Sequence, residues 1–391
     1  MHRRYFLQGI SSIAISQLLV GCGNTQQVKF KVILLKNSIP DRLVKRFGQS
    51  IKQKTQLKFS PVEQLQPLFK QLQTWRQPKK SAEKKQWNVS LRFWRSQTDR
   101  VADLVTMGNY WLDVAIQEEL IQPLEQEKLE KLANWSSLPP QWQKLVRRNQ
   151  EGKLDAQGKI WAAPYRWGST MIVYRRDKFK ELGWQPQDWQ DLWHPDLRDR
   201  ISVLEQPREV IGLVLKKLGK SYNTENLDSV PELEKELRSL NKQVKFYSSD
   251  RYLEPLMIGD TWLAVGWSSD ILPVIVRNPK LSAVISQSGT ALWADMWVRP
   301  YKAELTNQER LDLSYKWIDF CWQKETAKQI TLLTKSNSPI ATKIKDSEVQ
   351  KPLRNFLLNN AEVLNKSELI NFLAPDIAAK YESLFAKIRN G

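Results

Sequence analysis

Trp262-Leu-Ala-Val-Gly-Trp-Ser-Ser-Asp270 joins an apolar, strand-like run, Trp262 to Gly266, to an indole ring and then to a carboxylate three residues beyond the ring. Phe30-Lys-Val-Ile-Leu-Leu35 and Ser282-Ala-Val-Ile-Ser286 are runs of the same kind, and helical patterns alternate with such runs along the chain. That alternation is the sequence form of an α/β architecture. With 391 residues, 41% of them hydrophobic, the chain can bury the cores of two globular lobes.

The helices carry readable boundaries. Pro231 predicts the opening of one in which Leu233, Leu237 and Leu240 form a single apolar stripe. Glu232, Glu234 and Glu236 lie near its N-terminal end, where carboxylates suit the helix dipole. A second is predicted from Thr306, which has capping-box spacing to Glu309, and continues with Leu311, Tyr315, Ile318 and Trp322 on one side. Both read as packing elements. The chain has no internal repeat and no sustained heptad array.

At the N-terminus, Arg3-Arg4-Tyr-Phe-Leu7, an apolar run from Gly9 to Val20, and Leu19-Val-Gly-Cys22 read as an export signal that ends in a lipidation site. Paired arginines suit the twin-arginine route, although His2 stands where that motif usually has Ser or Thr; the general secretory route stays open. The apolar run is shorter than the roughly twenty residues a membrane span needs, and Gly21-Cys22-Gly23 breaks it. The four residues ending at Cys22 resemble a bacterial lipobox. This implies that Cys22 is lipidated and becomes the mature N-terminus, that residues 23–28 are a tether, and that the body works in the periplasm, held to the membrane by its lipid.

The formal charge of +18 bears on partners. Loss of residues 1–21 removes Arg3 and Arg4 and no acidic group, so the excess falls only by two. In a cytoplasmic protein such an excess would suggest nucleic acid. Here the basic residues are scattered, as at Lys79-Lys80 and Lys84-Lys85, with no RNA-binding or helix-turn-helix signature, so nucleic acid is not an expected partner. The excess reads as a solvated surface, with attraction to anionic lipid heads or cell-wall polymers as the functional alternative.

Only Cys22 and Cys321 are present, so no internal disulfide is expected once Cys22 is lipidated. Cys321 sits in an apolar helical stretch and reads as a buried thiol. His194 is the single histidine after the signal, which argues against a histidine-based metal cluster or a serine triad. No P-loop or GxGxxG supplies phosphate chemistry. No metal and no cofactor is expected.

Seventeen tryptophans require an explanation. Trp184, Trp189 and Trp193 lie in a Pro-punctuated segment of short turns and read as structural anchors. Trp267 and Trp293 differ, because each follows a strand-like run and precedes a carboxylate, Asp270 or Asp295, by three residues or fewer. An aromatic face attracts a protonated amine by about 0.5 to 2 kcal/mol, and a carboxylate accepts its hydrogen bonds. Each pair taken alone also fits a core Trp beside a surface Asp.

The order of these segments carries more weight than any one of them. Ala162-Ala-Pro-Tyr-Arg-Trp-Gly-Ser-Thr170 with Ile172-Val-Tyr174, then the Trp-rich turn, then Gln206-Pro-Arg-Glu-Val-Ile-Gly212, then Gly266-Trp267 and Trp293-Ala-Asp295, resembles the spermidine/putrescine-binding proteins of bacterial ABC importers. The resemblance implies a periplasmic-binding-protein fold of type II character: two α/β lobes, with ligand in the cleft between them. Its implied lobes are residues 29–170 with 295–340, and residues 171–294 with 341–391. It also implies that Glu209, Asp270 and Asp295 take amines, that Trp267 and Trp293 form aromatic walls, and that Tyr110, less firmly Trp111, brings a ring from the first lobe. The chain departs from the family at Gln206, where spermidine-type members carry Asp, and in Leu35-Lys-Asn-Ser38, where no aromatic remains. Gly108 and Ser336 are further departures.

The expected function is therefore that of a lipid-anchored substrate-binding protein, monomeric and not an enzyme, which presents a polyamine or related small organic cation to a permease with its ATPase. Two alternatives stay open. One is a receptor for a sugar, an amino-acid-like amine or a compatible solute; the other is a cell-wall-active glycoside hydrolase that uses two of the same carboxylates.

Overall fold

The computed structural model describes residues 28–51, 55–76, 101–301, 303, 307–340, 343–357 and 365–390. The export signal, Cys22 and the tether up to residue 27 lie outside the described residues, as do Thr306 and positions 77–95 of the basic stretch 71–95. Among the described residues, no helix is long and apolar enough to cross a membrane.

Two long strands run through both halves of this mixed α/β molecule. Ala163–Arg175 is buried over almost its whole length because its first half packs in one lobe and its second half in the other. It pairs antiparallel with Ala291–Pro300 through residues 163–169, and antiparallel with Leu263–Trp267 and Leu281–Val284 through residues 170–175. In the first lobe Val28–Leu35 runs parallel to Thr55–Val62 and Leu104–Gly108, and Leu104–Gly108 pairs antiparallel with Ala291–Pro300. In the second, Leu263–Trp267 runs parallel to Ile201–Val203, which runs parallel to Val244–Tyr247.

Strand alternation divides the second lobe into two packed layers. Ile172 and Tyr174 join a core with Val210, Leu213, Leu237 and Phe385. Their neighbours Met171 and Val173 join another with Ile271, Leu272 and Leu353. Successive side chains on a strand leave opposite faces, so a sheet covered by helices on both sides requires apolar residues at every position. The first lobe forms one core rich in aromatic rings. There Tyr165 stacks on Trp297 at 4.4 Å, and the Trp322 indole N–H donates to the Pro164 carbonyl at 2.7 Å.

Both helical readings survive with shifted starts. Helix Leu233–Asn241 buries Leu233, Leu237 and Leu240, but Pro231 lies in a preceding turn in which the Leu233 N–H donates to the Val230 carbonyl at 3.0 Å. Helix Gln308–Trp322 is capped by Asn307, whose side chain accepts from the Arg310 N–H at 3.1 Å, so the expected Thr306 cap gives way to its neighbour. An Asn at that position satisfies an orphan donor of the first turn directly. Cys321 is 1% exposed, and burial pushes its thiol well above the usual range. Trp189 is fully buried and donates to the Gly289 carbonyl at 2.9 Å, while Trp184 packs edge-on against Phe179, so these two rings anchor structure.

Candidate functional site

Glu209 lies in the first turn of helix Pro207–Lys217, where Pro207 supplies a preset φ and the dipole favours a carboxylate. It is 6% exposed. The Thr170 hydroxyl donates to its Oε2 at 2.9 Å, and the Trp267 indole N–H donates to its Oε1 at 2.9 Å. Burial pushes the carboxyl above its ordinary range; the two hydrogen bonds and the field of Arg208 pull it back only in part. Arg208 itself donates to Asn223 Oδ1 at 3.0 Å and lies 5.1 Å from the Tyr381 ring.

Trp267 ends strand Leu263–Trp267, and helix Ser268–Arg277 begins at the next residue, which puts Asp270 in that helix's first turn. The Tyr252 hydroxyl donates to Asp270 Oδ2 at 3.2 Å and accepts from the Trp267 backbone N–H at 3.2 Å. Gly266 is needed for this link, since a Cβ there would overlap the Tyr252 ring. Burial raises the Asp270 carboxyl as well, with Tyr252, Ser269 and Arg166 opposing. Glu209 and Asp270 are thus two desolvated carboxylates that accept from neutral donors among the described residues.

Asp295 is differently placed. It stands opposite Arg166 in the antiparallel register of the two long strands, and the Arg166 Nε–H donates to its Oδ2 at 2.6 Å. Both side chains are 4% exposed. Burial disfavours the Arg166 charge, but the field of Asp295, its hydrogen bond and the fields of Tyr165 and Asp270 together outweigh it and hold the guanidinium above its ordinary value. Burial raises the Asp295 carboxyl above its ordinary range, with Arg166 opposing only in part, and the short contact joins the two as an ion pair. The guanidinium also lies 5.5 Å from the centre of the Trp293 ring. Trp293 faces Gly168 across the strands, where a Cβ would overlap both that ring and the Ser268 hydroxyl.

Tyr110 is carried by the turn Asn109–Trp111 that follows strand Leu104–Gly108, and it is 39% exposed. Partial burial and the negative field of Glu209 raise its phenol while Arg208 opposes, so this first-lobe ring and the second-lobe carboxylate lie within electrostatic reach. Its ring is 4.2 Å from that of Trp111, which stacks on Phe69 at 5.3 Å. Asn109 fixes the turn. Its Nδ2 donates to the Ile370 carbonyl and its Oδ1 accepts from the Ala294 N–H, each at 2.8 Å.

The candidate residues therefore fall into a Glu209–Trp267–Asp270 group and a Trp293–Asp295 group, with Tyr110 in the electrostatic field of Glu209. Gln206, the departure next to this site, is exposed just ahead of Pro207. Three contributors had no role in the sequence reading: Arg166, Thr170 and Tyr252. Arg166 and Thr170 flank Gly168 at spacings of two, which puts all three on one face of the strand. The partner of Arg166, however, lies 129 residues away. A cavity lined by Trp167, Ser169, Met171, Ser268, Lys335 and Asn337 opens on the other face of that strand and includes none of the six candidates.

A family model described as bacterial extracellular solute-binding protein matches residues 99–365. The spermidine/putrescine-binding periplasmic protein of Salmonella typhimurium is 26% identical over 299 residues, which are 76% of this chain and 80% of that protein. Among solved structures, a spermidine/putrescine ABC transporter substrate-binding protein of Streptococcus pneumoniae aligns with a TM-score of 0.73 at 19% identity, covering 93% of this chain and 99% of that one. A lipoprotein of Treponema pallidum aligns with a TM-score of 0.68 at 16% identity, covering 93% of this chain and 100% of that one. The fold is shared with these two-lobed proteins.

Proposed function

The chain belongs to the family of bacterial extracellular solute-binding proteins, and on that premise we propose that it is the receptor of an ABC importer for a polyamine or related small organic cation. The observation that carries this reading is the pair of desolvated carboxylates, buried Glu209 and half-buried Asp270, bracketing Trp267 with no cation bonded to either among the described residues. A desolvated anion beside an indole face favours an ammonium over any neutral solute. A relative named for spermidine and putrescine supports the same ligand class. In this reading Tyr110 closes on the ligand from the first lobe, and the ligand acts by preferring the closed form.

The lobes are proposed as residues 29–170 with 295–340 and 171–294 with 341–391, and the protein as a periplasmic monomer that engages a permease. Lipidation at Cys22 is proposed from the lipobox, with the Treponema lipoprotein as a parallel. We assign no catalysis. The ion pair with Arg166 ties up one of the carboxylates a glycosidase would use as base or nucleophile. The test is calorimetry of the purified protein with putrescine, spermidine, γ-aminobutyrate, glycine betaine and a neutral sugar. One-to-one binding confined to amines is expected, and binding of the sugar alone would replace the reading.

A further inference from the structure

We propose that Arg166 is a resident cation filling one of the site's two ammonium subsites, so that the receptor selects a chain with a single ammonium at one end and a neutral hydrogen-bonding group at the other. The inference rests on the amine-receptor reading and narrows its ligand class.

An ammonium subsite needs an aromatic face and a carboxylate. The cleft supplies two such sets, Trp267 with Glu209 and Asp270, and Trp293 with Asp295. In the first, every hydrogen bond to the carboxylates among the described residues comes from an uncharged indole, hydroxyl or phenol group. In the second, the Arg166 guanidinium already holds Asp295 at 2.6 Å and lies 5.5 Å from the Trp293 ring centre. A second ligand ammonium would have to enter beside that guanidinium and meet its repulsion with the nearest carboxylate taken.

Charge counting leads to the same result. Arg166 is paired with Asp295 and lies in the field of Asp270, and Arg208 acts on Glu209, so these three carboxylates and two guanidinium groups leave one net negative charge. One ammonium balances it, whereas a diamine overshoots. The two long strands fix Arg166 in place, since Arg166 and Asp295 are register partners and Gly168 opposite Trp293 admits no side chain.

The test compares two ligands of equal length that differ in one charge, 4-aminobutan-1-ol and putrescine, by calorimetry on the intact protein. The expected result is at least about tenfold tighter binding of the amino alcohol. Arg166→Gln should reverse the order, because Asp295 is then free to take the second ammonium. Where that variant fails to fold, Arg166→Gln with Asp295→Asn removes both charges and should keep the preference for the amino alcohol. Equal or tighter binding of putrescine by the unaltered protein overturns the inference and leaves the amine reading standing. No binding of either compound overturns both.

Discussion

The two carboxylate sets proposed to line the cleft have the same ingredients and different partners. Around Trp267, buried Glu209 and half-buried Asp270 accept from neutral donors, and desolvation raises both above the ordinary carboxylate range. Around Trp293, Asp295 is as deeply buried as Glu209 and is raised by the same cause, but it carries a guanidinium as its partner. The first set stores unbalanced charge that a ligand can relieve; the second spends its charge on joining the two long strands. A Trp followed by Asp is therefore not a binding unit until its cation is known, and that cation can be the protein's own.

Substitution should separate the two sets, with the largest effect on the structural side. Asp295→Asn strands the buried Arg166 and is expected to lower unfolding stability by about 3 to 5 kcal/mol, read from denaturant titration; a loss below about 1 kcal/mol would mean the pair is dispensable. Glu209→Gln should do the reverse. It removes a charge the fold holds at a cost while keeping groups for Thr170 and Trp267, so the melting temperature should hold or rise while amine affinity falls at least about tenfold, or roughly 1.4 kcal/mol.

Acidity provides a smaller, graded test. Because the folded protein raises Glu209 and Asp270, protons bind them at pH values above the ordinary carboxylate range of about 4. As pH falls from neutral, amine affinity should weaken before that range is reached. The ligand-free fold should gain stability over the same window, since the folded state takes up the protons more readily than the unfolded chain. Opposite pH trends in calorimetry and thermal melts would bear out both statements, and parallel trends would refute them. The smallest effect concerns capture. A chain at +18 repels a cation at long range, and at about 0.15 M salt the repulsion is screened beyond roughly 8 Å, so association rates in stopped flow should rise with salt.

Much of this was legible in the chain because it rests on local signals. Apolar runs marked the strands near 30–35, 262–266 and 282–286, and a stripe of leucines marked helix Leu233–Asn241. Helix starts moved by a residue or two, because the choice between Thr306 and Asn307 as cap, or the turn at Val230–Leu233, depends on hydrogen bonds the spacing does not determine. Trp267 and Asp270 were paired by their spacing and Glu209 was supplied by the family resemblance; in the fold each begins or ends a regular element of the second lobe. The partner of Asp295 was not found. Arg166 was visible in Tyr165-Arg-Trp-Gly-Ser169, but only the antiparallel register of Ala163–Arg175 with Ala291–Pro300 sets it against Asp295. Tyr252 was missed for a similar reason, since it reaches Asp270 through the space left by Gly266.

The central claim is that an ammonium enters the cleft at Glu209. Calorimetric titration of the purified protein and its Glu209→Gln variant with four-carbon amines tests it most directly. The account predicts one-to-one binding in the micromolar range or tighter, lost or at least about tenfold weaker in the variant. Equal affinity in both proteins, or no amine bound by either, would contradict it.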